Sequence, residues 1–175
     1  MKKIISIILS VVMLLCVCSV LTSASWSEDG YIIVIADAVR TRTGAGVEND
    51  VVPGVTYTYG DTLGIASSGR IEKDSNGVDW LKIADNQYIC MNYVTTYFSA
   101  ASISSGKVIN VNTNLAVRKA PTTKAPSIGS LKNDANVKIT AETHYEIDGQ
   151  KWYQIEYGDR YTRGWISANY IGDGK

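Results

Sequence analysis

The chain has 175 residues, a formal charge of zero, 45% hydrophobic and 19% charged residues. That length holds one ordinary domain or two very small ones. The composition fits neither a disordered chain nor a nucleic-acid binder, and a neutral sum gives no electrostatic case for DNA, RNA or anionic lipid as partner. Eleven tyrosines and four tryptophans outweigh a single phenylalanine. Their apolar bodies carry a polar handle, which suits surfaces that are both packed and wet.

The N-terminus has the order of a secretory signal. Lys2 and Lys3 precede the apolar run Ile4 to Leu21, and the small residues Thr22-Ser23-Ala24-Ser25 follow. Cleavage is expected after Ala24, giving a signal peptide over residues 1–24. The alternative is an uncleaved anchor, since such a run can just span a bilayer, but no basic stop-transfer flank follows it. Lipidation at Cys16 or Cys18 is disfavoured because Leu15 and Val17 precede them. Cleavage removes Lys2 and Lys3 and leaves 15 basic against 17 acidic side chains, a charge of −2. It also leaves Cys90 as the sole cysteine, so packing rather than an internal disulfide must hold the fold.

The remainder repeats itself. Val39–Ala45 (VRTRTGA) matches Leu115–Pro121 (LAVRKAP), placing Arg42 on Arg118. GDTLGI (60–65) answers DANVKI (134–139), DWLKI (79–83) answers KWYQI (151–155), and YICMNYV (88–94) answers WISANYI (165–171). The shared order of four blocks defines two units, residues 31–97 and 107–172. Between them SAASISSG, 99–106, is small and polar, and residues 98–106 read as a short flexible linker.

Apolar residues alternate with period two in VKIT and WYQI, and turn clusters such as APTTKAPS, LKNDAN, EIDGQ and YGDRYTRG separate short β-rich runs. No helical period is sustained after Ala24. Each unit is expected to form about five short strands. With some 65 residues apiece, closure into a small barrel buries more surface than an open sheet and removes exposed edges.

The second unit carries a pattern that resembles the bacterial SH3 domain family: Leu115, Val117, Arg118, Pro121, Ile128, Gly129, Leu131, Val137, Trp152, Ile155, Gly164, Trp165, Ile166, Tyr170 and Ile171. The first unit resembles a degraded copy, keeping Arg42, Gly44, Trp80, Ile83, Ile89, Tyr93 and Val94, with Tyr88 in place of the second tryptophan. The resemblance implies an all-β protein of two tandem small SH3-like β-barrels after the signal peptide. It further implies an extracytoplasmic module that holds cell-wall peptidoglycan or its peptides, in families where a separate catalytic domain does the chemistry.

A hidden enzyme finds little support in the residues. Cys90 and His144 are the only such pair, without a nucleophile motif around the cysteine. One His and one Cys fall short of a zinc site. Glu142, Glu146, Asp148 and Glu156 read as solvated side chains, no phosphate-cradling glycine loop is present, and no cofactor is expected.

Strand alternation sorts the aromatics. With Ile155 and Ile166 toward the core, Tyr153 shares the inner face, while Trp152, Gln154 and Trp165 take the other. Trp152 and Trp165 are therefore candidates for an aromatic groove, or else caps over a barrel end beneath loops. The candidate ligand-binding set is Trp152, Trp165, Tyr157, Arg118 and Tyr170 in the second unit and Trp80, Tyr88, Tyr57 and Tyr59 in the first. Arg42 and Arg118 are expected to pin a loop by bonding carbonyls; the alternative is a contact to a ligand carboxylate. The functional expectation is a secreted, non-catalytic wall-binding module whose two units add their affinities across the linker, with no nucleic acid and, after cleavage, no membrane as partner. The alternative is an adaptor for another exported protein.

Overall fold

The computed structural model describes residues 31–65, 69–143, 145–158 and 162–173. The signal stretch 1–24, His144 and the tip of the YGDRYTRG turn at 159–161 lie outside them. Among the described residues the chain is all β, broken by two short 3-10 turns, Met91–Tyr93 and Ala168–Tyr170. None of them forms a helix long and apolar enough to cross a membrane.

Unit one begins with β1 (Tyr31–Val34), β2 (Val39–Arg42), β3 (Val51–Tyr57), β4 (Thr62–Gly64) and β5 (Ile71–Lys73). It continues through β6 (Asp79–Ala84) and β7 (Gln87–Cys90) into β8 (Val94–Val108). Unit two adds β9 (Leu115–Arg118), β10 (Ser127–Leu131), β11 (Asn136–Thr143), β12 (Trp152–Tyr157), β13 (Thr162–Ser167) and β14 (Ile171–Asp173). A five-stranded sheet runs β3-β2-β7-β6-β5; a nine-stranded sheet runs β10-β9-β13-β12-β11-β8-β1-β4, with β14 also on β8.

The period-two sequence pattern becomes a period-two burial pattern. In β11, Val137, Ile139, Ala141 and Thr143 are buried while their neighbours are not. Each unit has its own apolar core. Ile32, Val34, Val39, Leu81, Ile83, Ile89 and Val94 fill the first, and Val108, Leu115, Val117, Val137, Ile139, Ile155 and Ile166 the second. Gly164 sits against the second core, where an added Cβ would collide with Val117.

The repeat is written in single hydrogen bonds. The Ile35 amide donates to the Tyr93 carbonyl, as Ile109 does to Tyr170, both at 2.9 Å. The Val34 amide donates to Asp61 and that of Val108 to Ala135, again at 2.9 Å. Thr43 donates to Asp50 at 2.9 Å and Lys119 to Pro126 at 3.0 Å, closing the same loop in each unit. Arg42 Nη1 donates to the Asn49 carbonyl and Arg118 Nη1 to the Ala125 carbonyl, each at 2.7 Å and each seven residues on. The loop-pinning reading of the two arginines holds.

The linker reading is corrected. Residues 98–106 lie within β8, which serves both units. Its first residues pair with β1, Val34 on Val94 to Tyr31 on Tyr97, and close unit one. Its last pair with β14, Ile171 on Val108 to Asp173 on Gly106, and close unit two. Along its other edge β11 pairs with it at both ends, with a register shift where Ser99 and Ser104 flank Thr140. Small polar residues suggested coil, but backbone pairing with β11 decides the conformation, as strand propensity yields to context.

The units also pack on each other. Ile33 points away from the core of unit one and joins Ala141, Trp152 and Trp165 in a buried cluster that Tyr97 and Ile147 border. The Tyr97 ring meets Trp165 edge to face, centroids 5.6 Å apart. Burial also pushes the Tyr97 phenol up from its ordinary pKa. Gly60 of unit one lies where a Cβ would come within 2.6 Å of the Lys119 carbonyl oxygen, and its φ of +86° independently favours glycine.

Candidate functional site

The alternation argument places Trp152 and Trp165 on the outer face of β12 and β13, and so the structure has them. That face, however, is not open. Trp152 is 2% exposed and Trp165 1%. Trp165 lies beneath Ile33 and Tyr97, so it is no surface for a ligand, and its candidacy is corrected. Trp152 donates its indole N–H to the Ile147 carbonyl at 3.1 Å and keeps one edge on a cleft.

That cleft has a volume of about 410 Å³. The segment 110–116 forms one part of its lining, with Arg118, Thr123, Gln150, Trp152, Ser167 and Tyr170 completing it. The 3-10 turn after β13 positions the last two. The Ser167 hydroxyl caps it by accepting from the Asn169 amide at 3.3 Å and donates to Gln150 Oε1. Val111 donates its amide to Asn133 Oδ1 at 3.2 Å, holding the segment from outside. Among the described residues of the lining Arg118 is the only charged one, and none is acidic. Carboxamides and hydroxyls, each able both to donate and to accept, make up most of the rest.

Asp148 fixes the loop that carries Thr123. Its Oδ2 accepts from the Thr122 hydroxyl at 2.7 Å and from the Thr123 amide and hydroxyl, both at 2.8 Å. These bonds, the Thr122 hydroxyl foremost, hold the carboxyl below its usual range although burial opposes them. Hydrogen bonds from Lys138 and Arg163 lower Glu156 likewise, and that from Arg70 lowers Glu72. A carboxyl depressed in the folded state adds stability that is present above its unfolded pKa and lost as pH falls through the folded one. Urea midpoints are therefore expected to fall between about pH 5 and 2, given an unfolded Asp near 3.9. Asp148→Asn should shrink that fall, measured against the parent at both ends of the range.

The other candidates scatter. Tyr157 lines a second cleft of about 530 Å³ with Lys138 and Glu156, where Glu156 accepts from Lys138 at 2.9 Å and from Arg163 at 2.8 Å. Trp80 and Tyr88 are buried together with Cys90 under Ala45 and Val78. The Trp80 indole donates to Asp74 Oδ2 at 3.1 Å and the Tyr88 hydroxyl to Glu72 Oε1 at 2.9 Å, so both are committed internally. Tyr57 packs against the core of unit one, and Tyr59 is half-buried in the turn before β4. Of the nine, Trp152, Arg118 and Tyr170 meet at one place. Asn110, Asn112, Asn114, Gln150 and Ser167 were missed; the run NVNTN, two residues longer than its counterpart in unit one, was the available signal. Cys90 is buried and burial pushes its thiol up, which disfavours the nucleophilic thiolate. Among the described residues no group of His, Cys, Asp and Glu is placed to hold a metal.

Residues 113–172 match the family model described as bacterial SH3 domain. The second unit is a bacterial SH3 domain. The match begins inside the cleft-forming segment and takes in both tryptophans, the Ser167–Gln150 pair and Tyr170; it does not extend to unit one. No curated protein matches the chain. Among solved structures, "Structure of NlpC2 from Trichomonas vaginalis" aligns at 14% identity and a TM-score of 0.31 over 84% of this chain and 49% of that one. The chain thus spans about half the length of that structure.

Proposed function

We propose that the protein is a secreted, non-catalytic module that holds bacterial cell-wall peptidoglycan or its peptides at the cleft of the SH3 unit. The observation that carries this reading is the cleft itself: a polar recess with Arg118 in its lining, on a domain of a binding family, bordered by an exposed tyrosine. Carboxamides and hydroxyls suit the amide and hydroxyl groups of wall polymers, and Arg118 offers a positive pole for a carboxylate. The signal-like N-terminus and the inert setting of Cys90 support export and binding without chemistry.

Co-sedimentation of the chain lacking residues 1–24 with purified sacculi tests it. The folded protein is expected in the pellet at low salt. Folded protein left in the supernatant would sink the reading, and retention by a polypeptide after the wall has been digested would favour the adaptor instead.

A further inference from the structure

We infer that the chain has one ligand site rather than two, because unit one has been converted from a second binder into the wall that supports the first. This rests on the cleft reading above. The two units place the same backbone around the equivalent position, as the paired bonds Ile35–Tyr93 and Ile109–Tyr170 show. The side chains differ. Where unit two has the hydrogen-bonded pair Gln150 and Ser167, unit one has Val78 and Cys90, which pack with Trp80, Tyr88 and Ala45. The connection that supplies three asparagines in unit two, 109–114, is only 35–38 in unit one and carries none. Unit one thus packs the equivalent side chains into an apolar cluster, and its shorter connection carries one polar side chain, Asp37, which accepts from the Thr58 hydroxyl at 2.7 Å.

What unit one supplies instead is Ile33 and Tyr97. They cover the face of β12 and β13 that an isolated barrel would leave wet, and they fix Trp152, which reaches the cleft from behind. Both clusters are buried and apolar, so neither offers a hydrated polymer an open surface. Arg118 is the one charged side chain among the described residues of the lining, which favours a neutral or anionic ligand segment there.

The test is titration calorimetry of the chain lacking residues 1–24 with soluble muropeptides released from sacculi. One equivalent per chain is expected. The double substitution Gln150→Val with Ser167→Cys gives unit two the pair that unit one already folds around, and it should weaken binding tenfold or more with unchanged circular dichroism. Tyr170→Ala, on the surface, should weaken binding as well, whereas Tyr93→Ala at the equivalent exposed position of unit one should leave it within twofold. Two equivalents per chain, or loss of binding with Tyr93→Ala equal to that with Tyr170→Ala, would overturn the one-site inference while leaving wall binding intact. Failure of the unaltered, folded chain to bind any muropeptide would overturn the wall reading and this inference with it.

Discussion

Replacing Trp165 with alanine is expected to lower the unfolding free energy by about 3–5 kcal/mol, the range for deleting a large aromatic from a packed interior. Trp165 is 1% exposed, and its ring is held from three sides: Trp152 and Ala141 of its own unit, Ile33 of the other, and the Tyr97 edge. These neighbours sit on paired strands, which limits how far they can move into the gap, so much of the cavity should persist. The midpoint of urea unfolding reads the loss. A double-mutant cycle with Ile33→Ala separates the contribution of the interface. Side chains in contact couple by roughly 0.5–3 kcal/mol, and a coupling of zero would mean that the units do not rest on each other here. Asp148→Asn provides a contrast, since its effect should vanish in acid while that of Trp165→Ala should not.

Cutting the chain to residues 107–175 is expected to destabilise the SH3 unit by about 3–6 kcal/mol, taking roughly 1.5–3 for each of the two large side chains removed from the interface. The fragment loses Ile33 and Tyr97 from the tryptophan face. It also loses the pairing of Tyr97, Phe98 and Ser99 with Thr143, Glu142 and Ala141, leaving an unpaired strand edge. A domain of this size has a total stability of only about 5–15 kcal/mol, so the loss should be visible as a lower urea midpoint. Tryptophan emission of the fragment should shift to the red as its rings become wet. A fragment as stable as the longer chain, with blue emission, would show the units to be independent.

Much of this architecture was legible in the residues. Alternation in VKIT, WYQI and RGWISANY put Ile139, Ile155 and Ile166 in the core and the two tryptophans opposite, as observed. The duplicated arginine pointed to a loop fixed by a carbonyl, and both copies do this. Alternation tells which face a side chain takes; it is silent on what covers that face. The cover of Trp165 comes from Ile33, more than a hundred residues away, and no local period reports such a contact. The same limit hid β8. A run of serines and alanines has weak preferences of its own, and only its partners β11, β1 and β14 make it a strand. The cleft was half visible. Arg118, Trp152 and Tyr170 stood out as conspicuous residue types, while the asparagines beside them drew no notice because they also suit an ordinary turn.

Strand β8 has one more consequence, for the slow breathing of the molecule. Its amides at 94–97 and 106–108 close one unit each, and the same strand is gripped by β11 along the opposite edge. Neither unit can open fully without freeing part of it. Amide hydrogen exchange along this strand should therefore proceed through the rarest opening available, with both ends protected to the same free energy. Two modules joined by a tether would instead exchange on separate clocks.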